Sequence, residues 1–293
     1  MKKTVCIFIL FLILTSVSSV FAQTRIGISG TVDWETKQIN ASVLLDLASA
    51  GIRLPSGRTQ GESLLSSGFL NLIRPSILNL QVDSSSTVAD LIERGEYSLQ
   101  NVEALALNAS NIPPALSHDM LSMSSSHTIS LSSLSSSLLR HTYPTPVPRT
   151  LNPISAASYT GIIIIAESSL PVHGMRSTAK AVPCLFPKIW DSEMNLIYER
   201  SMLASRNTAM VHYASQQNIF ADNPTGLSPE LRAVVGDRPL RIFATGVFGI
   251  NPTDLIIDRN DALLIISTEE NRRLLTEGKV AFILDEAVLR YSF

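Results

Sequence analysis

Four consecutive isoleucines, Ile162–Ile165, lie between Gly161 and Ala166. In a strand, successive side chains point to opposite faces of the sheet, so this run leaves no face for water. It predicts a strand covered on both sides, as parallel or mixed sheets provide. The run is far shorter than the roughly 20 apolar residues needed to cross a bilayer as a helix. Two other segments are expected to pack beside it: Leu240–Phe248, through Ile242, Phe243 and Val247, and Lys279–Leu284, through Val280, Phe282 and Leu284. Leu185–Trp190 and Leu196–Tyr198 flank Asp191–Asn195 and predict a hairpin, and Ala209–Tyr213 predicts a further short strand. Asp258–Ile266 reads as a short helix or a strand. Glu269–Glu277 predicts a helix stopped by Gly278. Strands interleaved with short helices give an α+β fold class, with a mixed sheet in a C-terminal module spanning 151–293.

The upstream region, 23–142, reads as a strand pair followed by helices. Ile26, Ile28, Val32 and Trp34 alternate with small or polar residues, Glu35–Gln38 is a polar turn, and Ile39, Ala41, Val43 and Leu45 mark one face of a second strand. Leu64, Leu65, Phe69, Leu72 and Ile73 then recur at helical spacing within Thr59–Leu80, and Pro75 is expected to break or kink that helix. Ser86–Asp90 offers capping residues for a helix through Arg94. Eleven of the 22 residues from Ser117 to Leu138 are serine, which predicts an irregular stretch followed by one short helix carrying Leu131, Leu134 and Leu138. Pro144, Pro146 and Pro148 remove backbone donors and impose extended geometry, so 143–150 is expected to be a linker between the two regions.

The first 22 residues have the pattern of a secretory signal peptide. Lys2 and Lys3 precede the apolar run Val5–Leu14, and Val20-Phe21-Ala22 suits cleavage after Ala22. The expected location is therefore the periplasm or cell envelope. Removing the segment takes away two of 23 basic residues and none of 25 acidic ones, leaving a net charge of −4. That balance gives no electrostatic footprint for nucleic acid. Cys6 leaves with the segment, so Cys184 has no internal disulfide partner and packing alone must hold the core. Its neighbours Val182, Leu185 and Phe186 predict a buried, inert thiol.

A search for chemistry finds no assembled site. His118, His127, His141, His173 and His212 are scattered, with no zinc-ligand spacing. Ser117-His118-Asp119 are adjacent, and neighbouring side chains diverge too much to form a catalytic triad, so Ser117 reads as a cap or turn residue. Asp258 and Asp261, and Asp285 and Glu286, are acidic pairs of the kind glycoside hydrolysis uses, while Asp258 also reads as a helix cap. Accordingly no catalytic, cofactor or metal residue is assigned, and no cofactor is expected.

Tyr159-Thr160-Gly161 leading into the isoleucine run, Leu170-Pro171-Val172, Pro183 through Asp191, and Leu196 through Glu199 together resemble a family of exported proteins of unknown function from spirochaetes and other Gram-negative bacteria. Gly30 through Trp34, Leu47 through Pro55, Asp261-Ala262 and Val280 through Asp285 extend the likeness over most of the chain. Ala166-Glu167-Ser168 departs from the expected pattern. The resemblance implies no activity. The reading is of a non-catalytic envelope protein with a structural or binding role, whose partner is an envelope protein or polymer. Alternatives are a hydrolase acting on such a polymer, and an outer-membrane-associated protein suggested by the terminal Leu289–Phe293 pattern.

Overall fold

In a computed structural model the residues described are 26–141, 143–220 and 225–293, and the expected signal segment 1–22 lies outside them. Strands β1 (Ile26–Asp33) and β2 (Gln38–Asp46) form the hairpin expected from their alternation, with inward residues Ile39, Ala41, Val43 and Leu45 all buried. Helix α1 (Arg58–Leu78) lays Leu65, Phe69, Ile73 and Ile77 across that sheet. It runs through Pro75 without interruption, which corrects the expected break. Ile73 and Ile77, both fully buried, hold the last turn against the core despite the lost backbone donor.

Beyond α1, β3 (Gln81–Asp83) and β4 (Ser86–Thr87) form a small hairpin leading into α2 (Val88–Glu93), whose N-terminus is closed by a reciprocal Thr87–Asp90 capping box. Helix α3 (Leu99–Leu107) follows, then β5 (Ser110–Leu116) and β6 (Ser122–Ser130). The serine-rich stretch is therefore a strand and not irregular. β6 lies between β2 and β5, with Met123, Ser125, His127 and Ile129 turned inward. Helix α4 (Leu131–Leu138) then buries the three leucines named from the sequence.

No helix or strand forms from 143 to 161. The isoleucine run is β7 (Ile162–Ile165), and it is central as expected. Short strands β8 (Leu170–Pro171) and β9 (Thr178–Ala179) make a side hairpin, and β10 (Ile189–Asp191) pairs with β11 (Leu196–Tyr198). Then come β12 (His212–Ala214), α5 (Pro229–Val235), β13 (Leu240–Phe248) and β14 (Asp254–Ile257). Helices α6 (Arg259–Ile266) and α7 (Glu269–Thr276) lead to β15 (Val280–Ile283). The ambiguous 258–266 segment is thus helical, and the strand at 254–257 had no forecast. The sheet order is β11-β10-β14-β13-β7-β15-β12, with β13, β7, β15 and β12 parallel. The fold class is α+β.

Both faces of β7 are covered. Ile163 joins Ala281, Ile283, Leu231 and Val235 beneath α5, while Ile162 and Ile164 join Val280, Phe282, Ile265 and Leu275 on the opposite face. The Thr160-Gly161 step serves this packing. A Cβ on Gly161 would lie 2.5 Å from the Val235 Cα, and the Thr160 hydroxyl donates to the Val235 carbonyl at 2.7 Å. Ile242 and Val247 are buried as expected; Phe243, paired in register with Ile165, is instead 70% exposed.

The last elements, α8 (Glu286–Leu289) and β16 (Arg290–Ser292), return to the first sheet, where β16 pairs antiparallel with β1 to give the order β16-β1-β2-β6-β5. Arg290 clamps Asp33 through both Nε (3.0 Å) and Nη2 (2.5 Å).

Replacing Ile163 or Ile164 by Ala should cost about 2–5 kcal/mol in urea melts, because each removal leaves a cavity in a closed layer. Ser126→Ala, at an exposed position of β6, should cost under about 0.5 kcal/mol. Similar costs for both would contradict the two-sided burial.

Candidate functional site

The residues singled out in the sequence do not converge. Ser117 Oγ bonds the Asp119 carboxylate at 2.5 Å within the β5–β6 turn, confirming a turn role. Asp258 and Asp285 cap α6 and α8 through the backbone N–H groups of Asn260 and Ala287. Burial, assisted by Asp258, raises the pKa of Asp261. His127 is buried in β6, stacked on Phe69 at 3.7 Å and bonded to Ser125, while His141 contacts the Leu203 carbonyl. Among the described residues no group of three His, Cys, Asp or Glu side chains is placed to hold a metal. Cys184 is buried, and desolvation pushes its thiol far above the usual range, as its apolar neighbours suggested.

Two features not anticipated from the sequence organise the molecule. The first is the seam between the sheets. Trp34 meets Tyr213 edge to face at 5.8 Å, and the Tyr213 hydroxyl accepts from the Cys184 N–H and donates to the Cys184 carbonyl. Beside it, the β1–β2 turn reaches over β12. Glu35 accepts from the Ser215 N–H at 3.0 Å, and Lys37 Nζ lies 2.9 Å from His212 Nδ1. Desolvation lowers the Lys37 pKa to about 8; desolvation, then the Lys37 charge, lowers that of His212 to about 4. Between those values the pair is a charged lysine donating to a neutral imidazole. The cavity next to it measures only about 30 Å³ and has room for little more than water. On the other flank Ser84, from the β3–β4 turn, donates to fully buried Asp254, which also accepts from the Trp190 indole and the Lys188 backbone.

The second feature is a groove of about 650 Å³ in the first region. Its walls are α3, the end of β6 and α4. Asn101, Ala104 and Asn108 come from or just past α3; Thr128 and Ser130 come from β6; Ser133 and Ser137 come from α4. Gln38, Tyr97 and Ser110 add further polar groups and Leu105, Ala109 and Ile129 apolar ones, and every polar side chain lining the groove is uncharged. Some of these groups are engaged. Tyr97 Oη pairs with Ser137 Oγ at 2.8 Å, Thr128 donates to Asn40, and Ser130 caps α4. The side chains of Gln38, Asn101, Asn108 and Ser133 make no hydrogen bond to any described residue, so donors and acceptors remain free for a ligand. The sequence carried a signal for α3 that periodicity over longer windows passed over: Ser98 accepts from the Asn101 N–H as N-cap, and Val102 and Ala106 are buried four residues apart.

With this geometry in view, residues 25–137 match the family model described as the N-terminal domain of Treponema pallidum Tp0624, and residues 161–286 match the model of its second domain. The chain carries both domain types of this uncharacterised bacterial family. The first Tp0624 match takes in the whole groove, and the second takes in the seven-stranded sheet. No curated protein matches the chain. The likeness read from Tyr159–Ala166 and Pro183–Asp191 to an uncharacterised bacterial family agrees with the second Tp0624 match.

The Lys37–His212 contact predicts a pH dependence. His212 titrates near 4 when folded and near 6.5 when unfolded, so the unfolded chain binds the extra proton first as pH falls. Stability due to neutral His212 is complete above about pH 6.5 and is lost down to about pH 4, a change on the order of 1–3 kcal/mol. Buried His127, whose pKa burial also lowers, adds to the same slope. His212→Asn should therefore flatten, without abolishing, the rise in urea-melt stability between pH 4 and 6.5. An unchanged slope would contradict the burial of that imidazole.

Proposed function

We propose that the protein is a non-catalytic, exported envelope protein that binds an uncharged, hydroxyl- and amide-rich polymer, a glycan strand, in the groove between α3, β6 and α4. Export is supported by the Lys2–Ala22 pattern. The single observation carrying the binding reading is the set of four neutral polar side chains, Gln38, Asn101, Asn108 and Ser133, that line the groove with unused hydrogen-bonding capacity. Carboxamides and hydroxyls both donate and accept, matching sugar hydroxyls and acetamido groups that do the same. A charged ligand calls for charge-assisted partners, and the groove wall supplies none. The adjoining edge strand β5 carries Pro113 and Pro114, which blunt it against the addition of a peptide strand and leave side-chain readout as the mode.

The test is titration calorimetry with a short linear N-acetylglucosamine oligomer as an uncharged probe. Ala104 is exposed on the groove wall, so Ala104→Trp fills the groove at little cost to folding and should abolish binding. Asn101→Ala with Ser133→Ala removes two hydrogen bonds of about 0.5–1.5 kcal/mol each and should weaken binding about tenfold. Absence of saturable binding, or binding indifferent to Ala104→Trp, overturns the reading. Cleavage of the oligomer would replace it with the hydrolase alternative.

A further inference from the structure

The second sheet carries a separate cavity of about 380 Å³, lined by Ile165, Glu167, Ser168, Lys180, Phe243, Ala244 and Asp285. Its position follows from topology. β7 and β15 both end here, at Ile165 and Ile283, and β13 passes alongside with Phe243 in register with Ile165. The chain enters β13 through α5 on one face and β15 through α6 and α7 on the other. The connections therefore diverge around the carboxyl ends of parallel strands, where open sheets leave a crevice suited to ligands.

The lining divides into three kinds of group. Phe243 is 70% exposed although it sits in a strand of the central sheet, and half-buried Ile165 adjoins it, giving an apolar floor. Lys180 Nζ pairs with Asp285 Oδ2 at 2.5 Å, which fixes the ammonium and leaves two of its three donors unused. The other Asp285 oxygen already accepts from the Ala287 N–H. Half-buried Glu167 has no hydrogen-bond or ion-pair partner among the described residues, so its carboxylate is available to a cation. An anchored cation, an available anion and an apolar floor lie around one crevice.

We propose that this crevice binds a small zwitterion with an apolar side chain, a free amino acid or short peptide, with its carboxylate on Lys180, its ammonium on Glu167 and its side chain on Phe243 and Ile165. The site is independent of the glycan groove, so Ala104→Trp leaves it intact.

Two probes, L-phenylalanine and L-leucyl-L-leucine, are titrated into the full chain by calorimetry at millimolar concentration, with N-acetyl-L-phenylalanine and L-phenylalaninamide as charge-deleted partners. At least one zwitterion should bind saturably. Glu167→Gln and N-acetylation should each weaken binding tenfold or more, and together should cost little more than either alone, because they remove one interaction. Lys180→Met should stand in the same relation to the amide. Phe243→Ala, at an exposed position, should weaken both zwitterions with the melting temperature unchanged. Preference for phenylalanine assigns the site to free amino acids, and preference for the dipeptide assigns it to peptide termini. No saturable binding by either zwitterion, or binding insensitive to Glu167→Gln, overturns the proposal.

Discussion

Ile163 and Ile164 are neighbours in sequence but enter different cores. Ile163 packs under α5 with Ala281 and Ile283, and Ile164 packs on the far face with Val280 and Phe282. One strand therefore requires two cover layers. That requirement fixes β7 in the middle, brings β13 and β15 to its flanks in parallel, and forces their connections onto opposite faces. The crevice at the strand ends is a consequence of that arrangement, since connections that diverge cannot also fill the space between them.

The far face of β7 is also where the first region attaches. Phe282 on β15 meets Tyr213 edge to face at 6.1 Å, and Tyr213 meets Trp34, so an aromatic chain crosses from one sheet to the other. Such pairs contribute about 0.5–1.5 kcal/mol each beyond the area they bury. Three further ties act at different points of the seam: Glu35 and Lys37 over β12, Ser84 on Asp254, and β16 on β1. One continuous apolar cluster draws buried residues from both regions, while the layer beneath α5 is separate. No helix among the described residues is long and apolar enough to cross a membrane.

Much of this was legible in the sequence where one pattern dominated. The isoleucine run, the β1–β2 alternation and the Gly278 stop were read correctly because burial on a fixed period or a left-handed glycine leaves few alternatives. Gly278 indeed has φ +67. The helix does not break at Pro75 because the burial of Ile73 and Ile77 outweighs the local propensity of proline. The serine-rich strand was missed for a different reason. Serine occupies both faces of β6, so Met123, Ser125, His127 and Ile129 show no apolar alternation although all four are buried. Phe243 was placed in the right strand, but its exposure depends on what the opposite layer leaves uncovered, which no local pattern records. The groove drew on α3, a helix too short for periodicity to stand out, and on side chains from four separate segments.

The end of that strand and the helix after it furnish one wall of the groove, through Thr128, Ser130, Ser133 and Ser137. Small hydroxylated residues on β6 and α4 keep the cleft wide and supply hydrogen bonds without charge, and α3 supplies the carboxamides opposite. The claim that this groove is the polymer site is tested most directly by hydrogen–deuterium exchange with and without the N-acetylglucosamine oligomer. The account predicts slowed exchange confined to the surroundings of Gln38 and the segments 97–110 and 128–137, with the seven-stranded sheet unaffected. Protection centred on that sheet, or no protection at a concentration that saturates binding, would contradict it.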